Sequence, residues 1–559
     1  MVGIVPTVGC MIPANGQRIF PGQNATFELV LDEGYSFAGT DYTGKYIFAI
    51  ENGKQMLHLY DVRYPTRVHL WLTDSYRTIT YNPNGGEGKP MTVTYDVSVH
   101  TCPNASIGTD IYSRPGYTLA GWNTAPDGTG TAVGLGSRVT VPPLEEMTLY
   151  AQWVPWTEAA AFSWEEVQGC AVITGYAGTE AALVIPERLG NLPVRKIRMG
   201  AFTDCTAQWV VLPQALEQME EGAFQDCALE KLTFYDHLSL ADGAFRDCRG
   251  LKAISINAKL PPFGFAYRRE SCLADKVDML ILSQGERKLV CFGGCSMWYN
   301  LDGRFAQDTF RQQYRVVNMG LNGVVNAALQ MELITAFLEP GDVFFHTPEL
   351  SSQTQLMLVT EMTDQDDKLW CGLEYNYDLL NVIDARHYPG LLDAFCRWKA
   401  LKTGVSDYLS QYEDSDGRTF LDELGGIPFP REHPMASLAD GVWLEPKFLQ
   451  QDAMDYLNGL YQNIRAKGAA VYVSYACVNI DAVPEEQKQN VEKMDSLFRG
   501  FLSEMEGVRL VSRLSDYVYH NEDFYDTNYH LLSDAAWNNT SLWMAGLCGQ
   551  LERDGLYTP

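Results

Sequence analysis

The chain has little positive charge and no long apolar run. Its 559 residues include 42 lysines and arginines against 70 aspartates and glutamates, which gives a formal net charge of −28. A charge of this sign repels the phosphates of nucleic acids and of anionic membranes, so neither is expected as a partner. Every apolar run is shorter than the roughly 18 residues that cross a bilayer, and no membrane span is predicted.

The first residues also lack the features of a secretion signal. The stretch "MVGIVPTVGC" has neither a basic flank nor a sustained apolar segment. Two interpretations stay open at this point, namely a cytosolic protein or a chain that begins inside a longer one.

Cysteine pairs of the CxxC type are absent as well. The 13 cysteines are spread along the chain, so the pattern indicates neither a structural zinc site nor a thioredoxin-type motif. Cys291 and Cys295 have no further cysteine or histidine close to them in the sequence, which gives little support to a metal or redox pair. We expect no metal ion and no organic cofactor.

The length of 559 residues predicts several domains, because one hydrophobic core rarely serves more than about 300 residues. Residues 1–76 alternate apolar and polar residues in runs such as "QNATFELVLDEGYSF" and are predicted to form an all-β module. Residues 77–153 place the turn signals Asn84-Gly85-Gly86 and Asp127-Gly128 between β-type runs. The aromatic residues predicted for the core of this second module are Tyr117, Trp122, Tyr150 and Trp153.

The second module carries a specific resemblance. Its pattern "GYTLAGWNT…DGTGT…LYAQW" resembles the Listeria–Bacteroides repeat, a β-grasp-like module of bacterial cell-surface proteins. The resemblance covers the whole of residues 77–153. It implies a spacer or adhesive role rather than chemistry.

A repeated motif marks residues 154–262. The sequences "GAFTDC", "GAFQDC" and "GAFRDC" end at Cys205, Cys227 and Cys248, at intervals of 22 and 21 residues. These intervals lie within the range of leucine-rich repeats. The pattern resembles the leucine-rich repeats of surface proteins, in which Phe and Cys point into the solenoid. It therefore implies that the three cysteines are buried thiols rather than ligands or disulfides.

From residue 263 to residue 559 the pattern changes to strands alternating with helices. Strands are predicted for "KLVCFGG", "YRVVNMGLNG", "GDVFFHTPE", "AAVYVSYACVNI" and "VRLVSRLS", with "VDMLILSQ" as a lead-in strand. Helices are predicted between them, for example over "VVNAALQMELITAFLE". This order predicts an open parallel sheet covered by helices. Residues 351–450 are open to two interpretations, a lid or an unrelated insertion.

Ligands of such sheets bind beyond the carboxyl ends of the strands. Ser296 follows the strand "KLVCFGG" at that edge, after two glycines that permit a sharp turn. Near the end of the chain, "HNEDFYDTNYHLLSDAAW" offers Asp523, Asp526 and His530 after the last strand. A hydroxyl, an imidazole and a carboxylate are the groups that nucleophilic acyl transfer needs.

Residues 275–559 resemble the SGNH/GDSL hydrolase superfamily. The family's Gly-Asp-Ser block is matched by Gly294-Cys295-Ser296, and its Asn-x-Gly-x-x-Gly block by Asn318, Gly320 and Gly323. Its last block, Asp followed by His-Leu, is matched by Asp526 and His530-Leu531. The resemblance implies a flavodoxin-like parallel sheet and a serine-dependent esterase or O-acyltransferase.

The same resemblance assigns roles to residues. Ser296 would be the nucleophile, His530 its base, and Asp526 the carboxylate that orients the imidazole. Backbone N–H groups of Ser296 and Gly323 would bind the oxyanion. The family separates the last Asp and His by two residues, whereas three stand here. If the loop is helical, both spacings keep the two side chains on one face, so Asp526 can still serve; Asp523 is the fallback partner.

The third block departs further from the family. Where an asparagine should supply an oxyanion donor, "DVFFHTPEL" offers His346, Thr347 and Glu349. Loss of one such donor typically costs on the order of 10²–10³ in turnover. Asn322 could compensate, whereas an inward-pointing Glu349 carboxylate would repel the oxyanion.

Three further residues near the serine are candidate substrate contacts. Glu349 could reach substrate from the third block. The rings of Trp298 and Tyr299, just past the serine, could stack on a sugar or fill a groove.

We therefore predict a secreted or surface-displayed bacterial protein with strand-rich modules, a short solenoid and an SGNH-like domain. Its substrate would be an O-acylated carbohydrate or another cell-surface ester, as the resemblance and the surface context imply. The repeats are expected to contact host or bacterial glycans or proteins. The competing interpretation is a non-catalytic adhesin or scaffold that retains the hydrolase fold without competent chemistry.

Overall fold

The described part of the chain forms two compact units. The computed structural model describes residues 2–4, 10–13, 15–32, 35–40, 42, 44–63, 66–74, 76–96, 104–106, 111–141, 146–258, 272–310, 313–321, 326–350, 369–370, 373, 377–403, 426, 431–433 and 441–558. The first unit comprises Met1–Thr73, Arg268–Met362 and Asp416–Pro559. The second comprises Asp74–Tyr267 and Thr363–Ser415.

The N-terminal module of the first unit is strand-rich, as predicted. Its strands are β1 (Val2–Ile4), β2 (Cys10–Met11), β3 (Gln23–Leu31), β4 (Tyr35–Thr40), β5 (Tyr46–Glu51), β6 (Lys54–Val62), β7 (Thr66–Val68) and β8 (Leu70–Asp74). Strands β2, β3, β6 and β5 form an antiparallel sheet in that order. Ala25, Phe27 and Leu29 alternate into the core because successive side chains of a strand point to opposite faces.

The next module, in the second unit, is also strand-rich. Its strands are β9 (Tyr76–Asn82), β10 (Met91–Asp96), β11 (Asn104–Ser106), β12 (Tyr117–Asn123), β13 (Ala132–Val133), β14 (Arg138–Thr140) and β15 (Glu146–Pro155). Five of them form a mixed sheet in the order β10-β9-β15-β12-β13. Asn84, Gly85 and Gly128 adopt the positive φ angles predicted for its turns.

The aromatic core of this module is smaller than the sequence suggests. Of the four predicted residues only Trp122 is fully buried, and its ring lies 4.9 Å from that of Tyr81. Trp153 is half-buried and its Nε1–H donates to the Pro83 carbonyl at 2.7 Å. Tyr117 and Tyr150 are only partly buried. Tyr150 points to the face opposite its buried neighbours Leu149 and Ala151, and Tyr117 is the first residue of β12, at the margin of the sheet.

The repeats form a short solenoid of parallel strands. The strands are β16 (Phe162–Val167), β17 (Cys170–Tyr176), β18 (Ala182–Val184), β19 (Arg188–Leu189), β20 (Leu192–Ile197), β21 (Trp209–Val211), β22 (Gln218–Met219), β23 (Lys231–Tyr235), β24 (Ser239–Leu240) and β25 (Ala253–Asn257). One parallel ladder runs β17-β20-β22-β24 and a second runs β18-β21-β23-β25. Stacked parallel ladders of this kind are the expected form of a repeat protein.

The repeated motif is explained by the turn it forms. Each Asp of "GAFxDC" has a positive φ, 58° at Asp204, 56° at Asp226 and 59° at Asp247, a conformation that Asp tolerates better than most residues. The phenylalanines stack inside the solenoid, with Phe202 and Phe224 only 4.4 Å apart between ring centroids. The motif cysteines Cys205, Cys227 and Cys248 are buried free thiols, which confirms the prediction made for them.

The remaining elements alternate between helices and strands. They are α1 (Cys272–Leu282), β26 (Lys288–Gly293), α2 (Cys295–Asn300), α3 (Gly303–Phe310), β27 (Arg315–Asn318), α4 (Ala327–Ala336), β28 (Val343–Thr347), α5 (Tyr388–Thr403), α6 (Gln451–Ala466), β29 (Ala470–Val473), β30 (Val478–Asn479), α7 (Glu485–Lys488), α8 (Asn490–Glu504), β31 (Val508–Leu510), β32 (Val518–Tyr519) and α9 (Ser533–Arg553). All but α5 belong to the first unit.

Five of these strands form one parallel sheet in the order β27-β26-β28-β29-β31. In chain order this is 2-1-3-4-5, an arrangement found in doubly wound α/β folds. The order in which successive strands are added changes direction at β26, so the sheet's topological switch lies there. The predicted parallel sheet is present, and Ser296 follows β26, the second strand in its order.

The lead-in strand predicted over "VDMLILSQ" is wrong. Those residues lie mostly in helix α1, where Leu273, Val277 and Leu280 are buried. Their spacing of four and three residues places them on one face of a helix, and this packing outweighs the β-type composition of the run.

The described part of residues 351–450 is divided between the two units. In the second unit the segment 377–403 covers the last solenoid strand, where the Asn381 side chain accepts the Ile254 N–H at 3.1 Å and donates to the Ile254 carbonyl at 3.2 Å. Asp393 of α5 accepts the Gly243 N–H at 3.0 Å. These contacts satisfy backbone groups that an open edge strand would leave exposed. The segment therefore serves as an end cap of the solenoid.

His346 of the third block is a core residue rather than a base. Its Nδ1 lies 2.7 Å from the Tyr461 hydroxyl, and burial lowers the pKa of His346 to about 3. The unfolded chain, with an ordinary pKa of about 6.5, takes up a proton first as the pH falls. The first unit is therefore expected to lose stability between about pH 6.5 and about pH 3.

Denaturant midpoints measured between pH 7 and pH 4 test this expectation. His346→Asn keeps an amide for the Tyr461 hydroxyl but cannot titrate, so its midpoint is expected to change less with pH than that of the native chain. If the denaturant midpoint changes equally with pH in the two proteins, His346 does not contribute to the loss of stability at low pH.

Candidate active site

Ser296 lies in the first turn of α2, directly after β26, at the carboxyl edge of the parallel sheet. The serine has no exposed surface. Gly294, which precedes the helix, has φ −76° and ψ −154°, so the turn does not need a left-handed residue.

Glycines around Ser296 are needed for close approach rather than for turn geometry. A Cβ on Gly294 would lie 2.6 Å from Oε1 of Glu349. A Cβ on Gly320 would lie 2.4 Å from the backbone nitrogen of Trp298. The loop after β27 and the segment after β28 can therefore pack directly on α2 only because these positions lack side chains.

The segment around His530 is fastened to the helix that carries Ser296. Asn300, one turn after Ser296, donates from Nδ2 to the Tyr529 carbonyl at 2.8 Å. Its Oδ1 accepts the Leu531 N–H at 2.8 Å. One side chain on α2 thus binds the backbone on both sides of His530. Asn300 therefore links the serine helix to the His530 segment, although 234 positions separate Ser296 from His530 in the sequence, the difference between 530 and 296.

The imidazole is held from two further directions. The His530 ring stacks on Tyr299 with 3.5 Å between centroids and 7° between planes. His530 Nδ1 lies 2.6 Å from Oδ1 of Asp526. An imidazole bonded through Nδ1 to a carboxylate presents Nε2 as the atom that can take a proton, which is the arrangement of a general base.

A tight loop rather than a helix brings Asp526 to His530. Phe524 and Leu531 form an antiparallel bridge, and the Tyr525 N–H donates to the His530 carbonyl at 2.8 Å. The segment between Asp526 and His530 is therefore not helical. Asp523 is not the partner, because its Oδ2 accepts the His520 N–H at 2.9 Å.

Cys477 lies between the two halves of the site. Its Sγ is 3.9 Å from the Ser296 hydroxyl, 3.2 Å from Asn300 Nδ2 and 3.5 Å from the Tyr529 carbonyl. Burial raises the pKa of this thiol to about 12, so it is a neutral packing group at physiological pH. Cys295, on the other side of the serine, is buried as well, and burial raises its pKa well above the usual range.

Arg431 joins the same two segments from the long region between β28 and α6. Its Nη2 donates to the Tyr299 carbonyl, and its Nε donates to the Leu531 carbonyl at 3.2 Å. The guanidinium lies 5.4 Å from the centroid of the Tyr299 ring. Burial lowers the pKa of Arg431 to about 10, which leaves it charged at neutral pH. This residue holds the stacked pair of Tyr299 and His530 in place.

Glu349 occupies the space next to the serine backbone. Its Oε1 accepts the Ser296 N–H at 3.0 Å and lies 3.8 Å from the Cys295 Sγ. Burial raises the pKa of the Glu349 carboxyl, while hydrogen bonds from Ser296 and Cys295 lower it to a smaller extent. A buried carboxyl group therefore binds the backbone donor that the sequence assigned to an oxyanion.

Trp298 and Tyr299, two of the candidate substrate contacts, lie in the interior. Trp298 is 1% exposed, and the Lys276 ammonium lies 5.5 Å from its ring centroid, so no sugar could stack on it. Tyr299 is covered by His530 and Arg431 and positions the imidazole instead. Both rings are interior because α2 packs directly against the sheet edge.

The second block, Asn318 to Gly323, is described only in its first part. Gly323 and Asn322 lie outside the residues that the structure describes. Asn318 of the same block joins β27 to α2, since its Nδ2 donates to the Met297 carbonyl at 3.3 Å and its Oδ1 accepts the Gly320 N–H at 2.9 Å. This part of the block positions the serine helix.

A small cavity borders the site. Its lining includes Glu349, Leu350, Val442, Cys477 and Tyr529. Since Glu349 and Cys477 both contact Ser296, the cavity lies immediately beside the buried serine.

Sequence reasoning missed three residues of this arrangement. Asn300 lies in the quoted serine segment, and its spacing of four from Ser296 could have marked it as a neighbour on the same helix face. Cys477 and Arg431 carried no such signal, because they belong to segments whose position depends on the tertiary fold.

Within the described residues, no cluster of three or more His, Cys, Asp or Glu side chains could hold a metal ion. None of the helices described here is long and apolar enough to cross a membrane.

Comparisons with known proteins identify two segments of the chain. A model of the Listeria-Bacteroides repeat domain matches residues 78–152. A model of the BspA type leucine rich repeat region matches residues 187–268 in 6 copies. No curated protein matches the chain. A solved leucine-rich repeat protein of T. pallidum is 28% identical over 18% of this chain and 50% of that chain, with a TM-score of 0.18.

Both matched segments are repeats of kinds typical of bacterial surface proteins, which confirms the resemblance to the Listeria–Bacteroides repeat and the resemblance to surface-protein leucine-rich repeats. The chain spans half the length of the solved repeat protein it matches. Solenoids of leucine-rich repeats present extended surfaces that commonly bind other proteins.

Proposed function

We propose that this chain is a bacterial surface protein whose α/β segment is a serine-dependent esterase or O-acyltransferase of the SGNH type. Its substrate is an acyl ester, with an O-acylated carbohydrate as the preferred class. The repeat modules present this segment at a surface. The observation that carries the proposal is the fastening of the His530–Asp526 pair to the Ser296 helix through Asn300.

In the proposed reaction, Ser296 is the nucleophile, His530 the base and Asp526 the carboxylate that orients His530. His530 takes the proton of the Ser296 hydroxyl as the oxygen attacks the acyl carbon. Asp526 holds the imidazole through Nδ1 and stabilises its protonated form. The protonated His530 then gives its proton to the departing alcohol, and water or a second alcohol releases the acyl group from Ser296. The flavodoxin-like strand order of the sheet agrees with this family.

Hydrolysis of p-nitrophenyl acetate by the full chain tests the proposal. The native protein is expected to release nitrophenol faster than buffer, and Ser296→Ala to return the rate to that of buffer. Ser503→Ala, an exposed serine of α8 whose hydroxyl donates to the Gly500 carbonyl at 2.7 Å, is a matched control and should leave the rate unchanged. A fluorophosphonate probe should label the Ser296 peptide of the native chain.

The second candidate is a non-catalytic adhesin or scaffold with a degenerate hydrolase fold. The complete burial of Ser296 and the Glu349 carboxyl on its N–H favour it. Equal and negligible rates for the native chain and Ser296→Ala, with no label on the Ser296 peptide, would establish this candidate over the first.

A further inference from the structure

The side chain of Glu349 is placed where the charge of an acyl-transfer reaction would develop. Its Oε1 accepts the Ser296 N–H at 3.0 Å. A carbonyl oxygen attacked by Ser296 would approach that same N–H, because the backbone nitrogen and the hydroxyl belong to one residue. Any such oxygen therefore comes within contact distance of the Glu349 carboxyl.

The Glu349 carboxyl fits beside the serine helix because residue 294 is a glycine. A side chain at Gly294 would place its Cβ 2.6 Å from Oε1 and 3.1 Å from Oε2 of Glu349. Both oxygens thus lie close to Gly294, the glycine that precedes the serine helix. Glu349 is brought there by β28, which pairs with β26 in parallel up to Gly293 and Thr347.

The surroundings of Glu349 disfavour its charged form. The side chain is nearly fully buried, with 3% exposed, and Oε2 has no hydrogen-bond partner among the described residues. The titratable groups that face it are the thiols of Cys295, from α2, and Cys477, from the segment after β29. None of the interactions that described residues make with this carboxyl comes from a cation. Burial accordingly raises its pKa.

We propose that Glu349 acts as a neutral carboxylic acid and donates a hydrogen bond from Oε2 to the oxyanion that forms on Ser296. This inference rests on the esterase or acyltransferase function proposed above. On substrate binding the acyl oxygen replaces Oε1 at the Ser296 N–H, and the acid turns so that its O–H points at the same oxygen. A buried acid held neutral can serve as an oxyanion donor.

The proton balance of the step is simple. Ser296 loses its hydroxyl proton to His530 as the bond from Oγ to the acyl carbon forms. The acyl oxygen gains the negative charge and is bound by the Ser296 N–H and the Glu349 O–H. When the oxygen's charge returns to the carbonyl, the bond to the alcohol breaks and the alcohol takes the proton from His530. Glu349 keeps its own proton throughout.

Substitutions of Glu349 distinguish a side chain that donates a hydrogen bond to the oxyanion from one that only blocks the Ser296 N–H. Glu349→Gln supplies an amide donor at the same place and is expected to keep kcat for p-nitrophenyl acetate within about tenfold of native. Glu349→Ala removes the donor and is expected to lower kcat by about 10²–10³-fold. Glu492→Gln, an exposed glutamate of α8, is the matched control and should behave as native. Thermal unfolding should show that all variants fold.

The pH profile gives a second test. Native activity is expected to fall as the pH rises through the raised pKa of Glu349, because the carboxylate would then repel the oxyanion. Glu349→Gln should lack that fall. Activity of Glu349→Ala equal to or above native would overturn the proposal and identify the carboxyl as a plug over the Ser296 N–H. Equal losses in Glu349→Gln and Glu349→Ala would also overturn it.

A spectroscopic measurement distinguishes failure of this inference from failure of the proposed function. The infrared difference between the native chain and Glu349→Gln at pH 7 should contain the carbonyl band of a protonated carboxylic acid. A carboxylate band instead would refute the neutral acid, whatever the turnover. A protonated Glu349 in a chain without Ser296-dependent turnover would refute the esterase, and the donor role with it.

Discussion

Asp526→Asn is expected to lower kcat for ester hydrolysis by up to about 10⁴-fold while the fold is retained. The carboxylate of Asp526 accepts from His530 Nδ1 at 2.6 Å and so fixes the proton on that nitrogen. An asparagine amide at this place can donate to Nδ1 and stabilise the opposite tautomer, in which Nε2 carries the proton and cannot accept one from Ser296. The measurement is kcat and kcat/KM for p-nitrophenyl acetate, with the pH profile of each variant.

Asp523→Asn is the matched control because Asp523 belongs to the same loop and serves a structural contact, the His520 N–H. Its kcat is expected to equal that of the native chain. A large loss in Asp523→Asn together with native-like activity in Asp526→Asn would mean that the loop rearranges and that the carboxylates exchange roles. Loss of the folded near-UV signal in Asp526→Asn would indicate a structural rather than an orienting role.

Much of the site could be predicted from the sequence because parallel strands impose its layout. Residues that follow the strands of a parallel sheet collect at one edge, so Ser296 and Glu349 were expected there from their position after β26 and β28. Contact between Ser296 and His530 was predicted on the same ground and stays a prediction; the structure shows the two segments linked through Asn300. Arg431 could not be foreseen, since nothing in a long segment between strands tells which carbonyl groups its guanidinium will reach.

The environment of each group was harder to predict than its position. Trp298 was expected either to stack on a sugar or to fill a groove by packing, and the structure buries its ring, because Gly320 lets the loop after β27 close on the serine helix. The Glu349 carboxyl was expected to hinder the oxyanion because it was assumed to be ionised. Burial raises the pKa of that carboxyl, which is the ground for the donor role proposed above, and burial is a tertiary property.

The fold itself followed from short-range signals where those signals were strong. The motif "GAFxDC" predicted the solenoid through its repeat interval of 21 to 22 residues. In the structure the Asp of each copy has a positive φ, and the Phe rings of successive copies stack. Helix α1 was missed because its apolar residues are consecutive as well as helically spaced, so the run fits a strand and a buried helix equally well. Only packing decides between them.

The phenylalanine stack makes a prediction of large effect on stability. Phe224 has no exposed surface and lies between Phe202, 4.4 Å away, and Phe245, 5.5 Å away, measured between ring centroids. Phe224→Ala is expected to destabilise the solenoid by about 3–5 kcal/mol, because it removes a buried ring and leaves a cavity. The loss acts on two interfaces at once, since each repeat is stabilised mainly by its neighbours.

Native-state hydrogen exchange is the appropriate measurement, because a chain of two compact units is not expected to unfold in one step. Amides of β20–β25 should exchange faster in Phe224→Ala, whereas those of β26 and β28 in the other unit should keep native protection. Trp164→Ala, at an aromatic residue that is 38% exposed on β16, should change the free energy of unfolding by about 1 kcal/mol or less. Unchanged exchange in Phe224→Ala, or an equal effect of Trp164→Ala, would show that the ring stack is not what holds the repeats together.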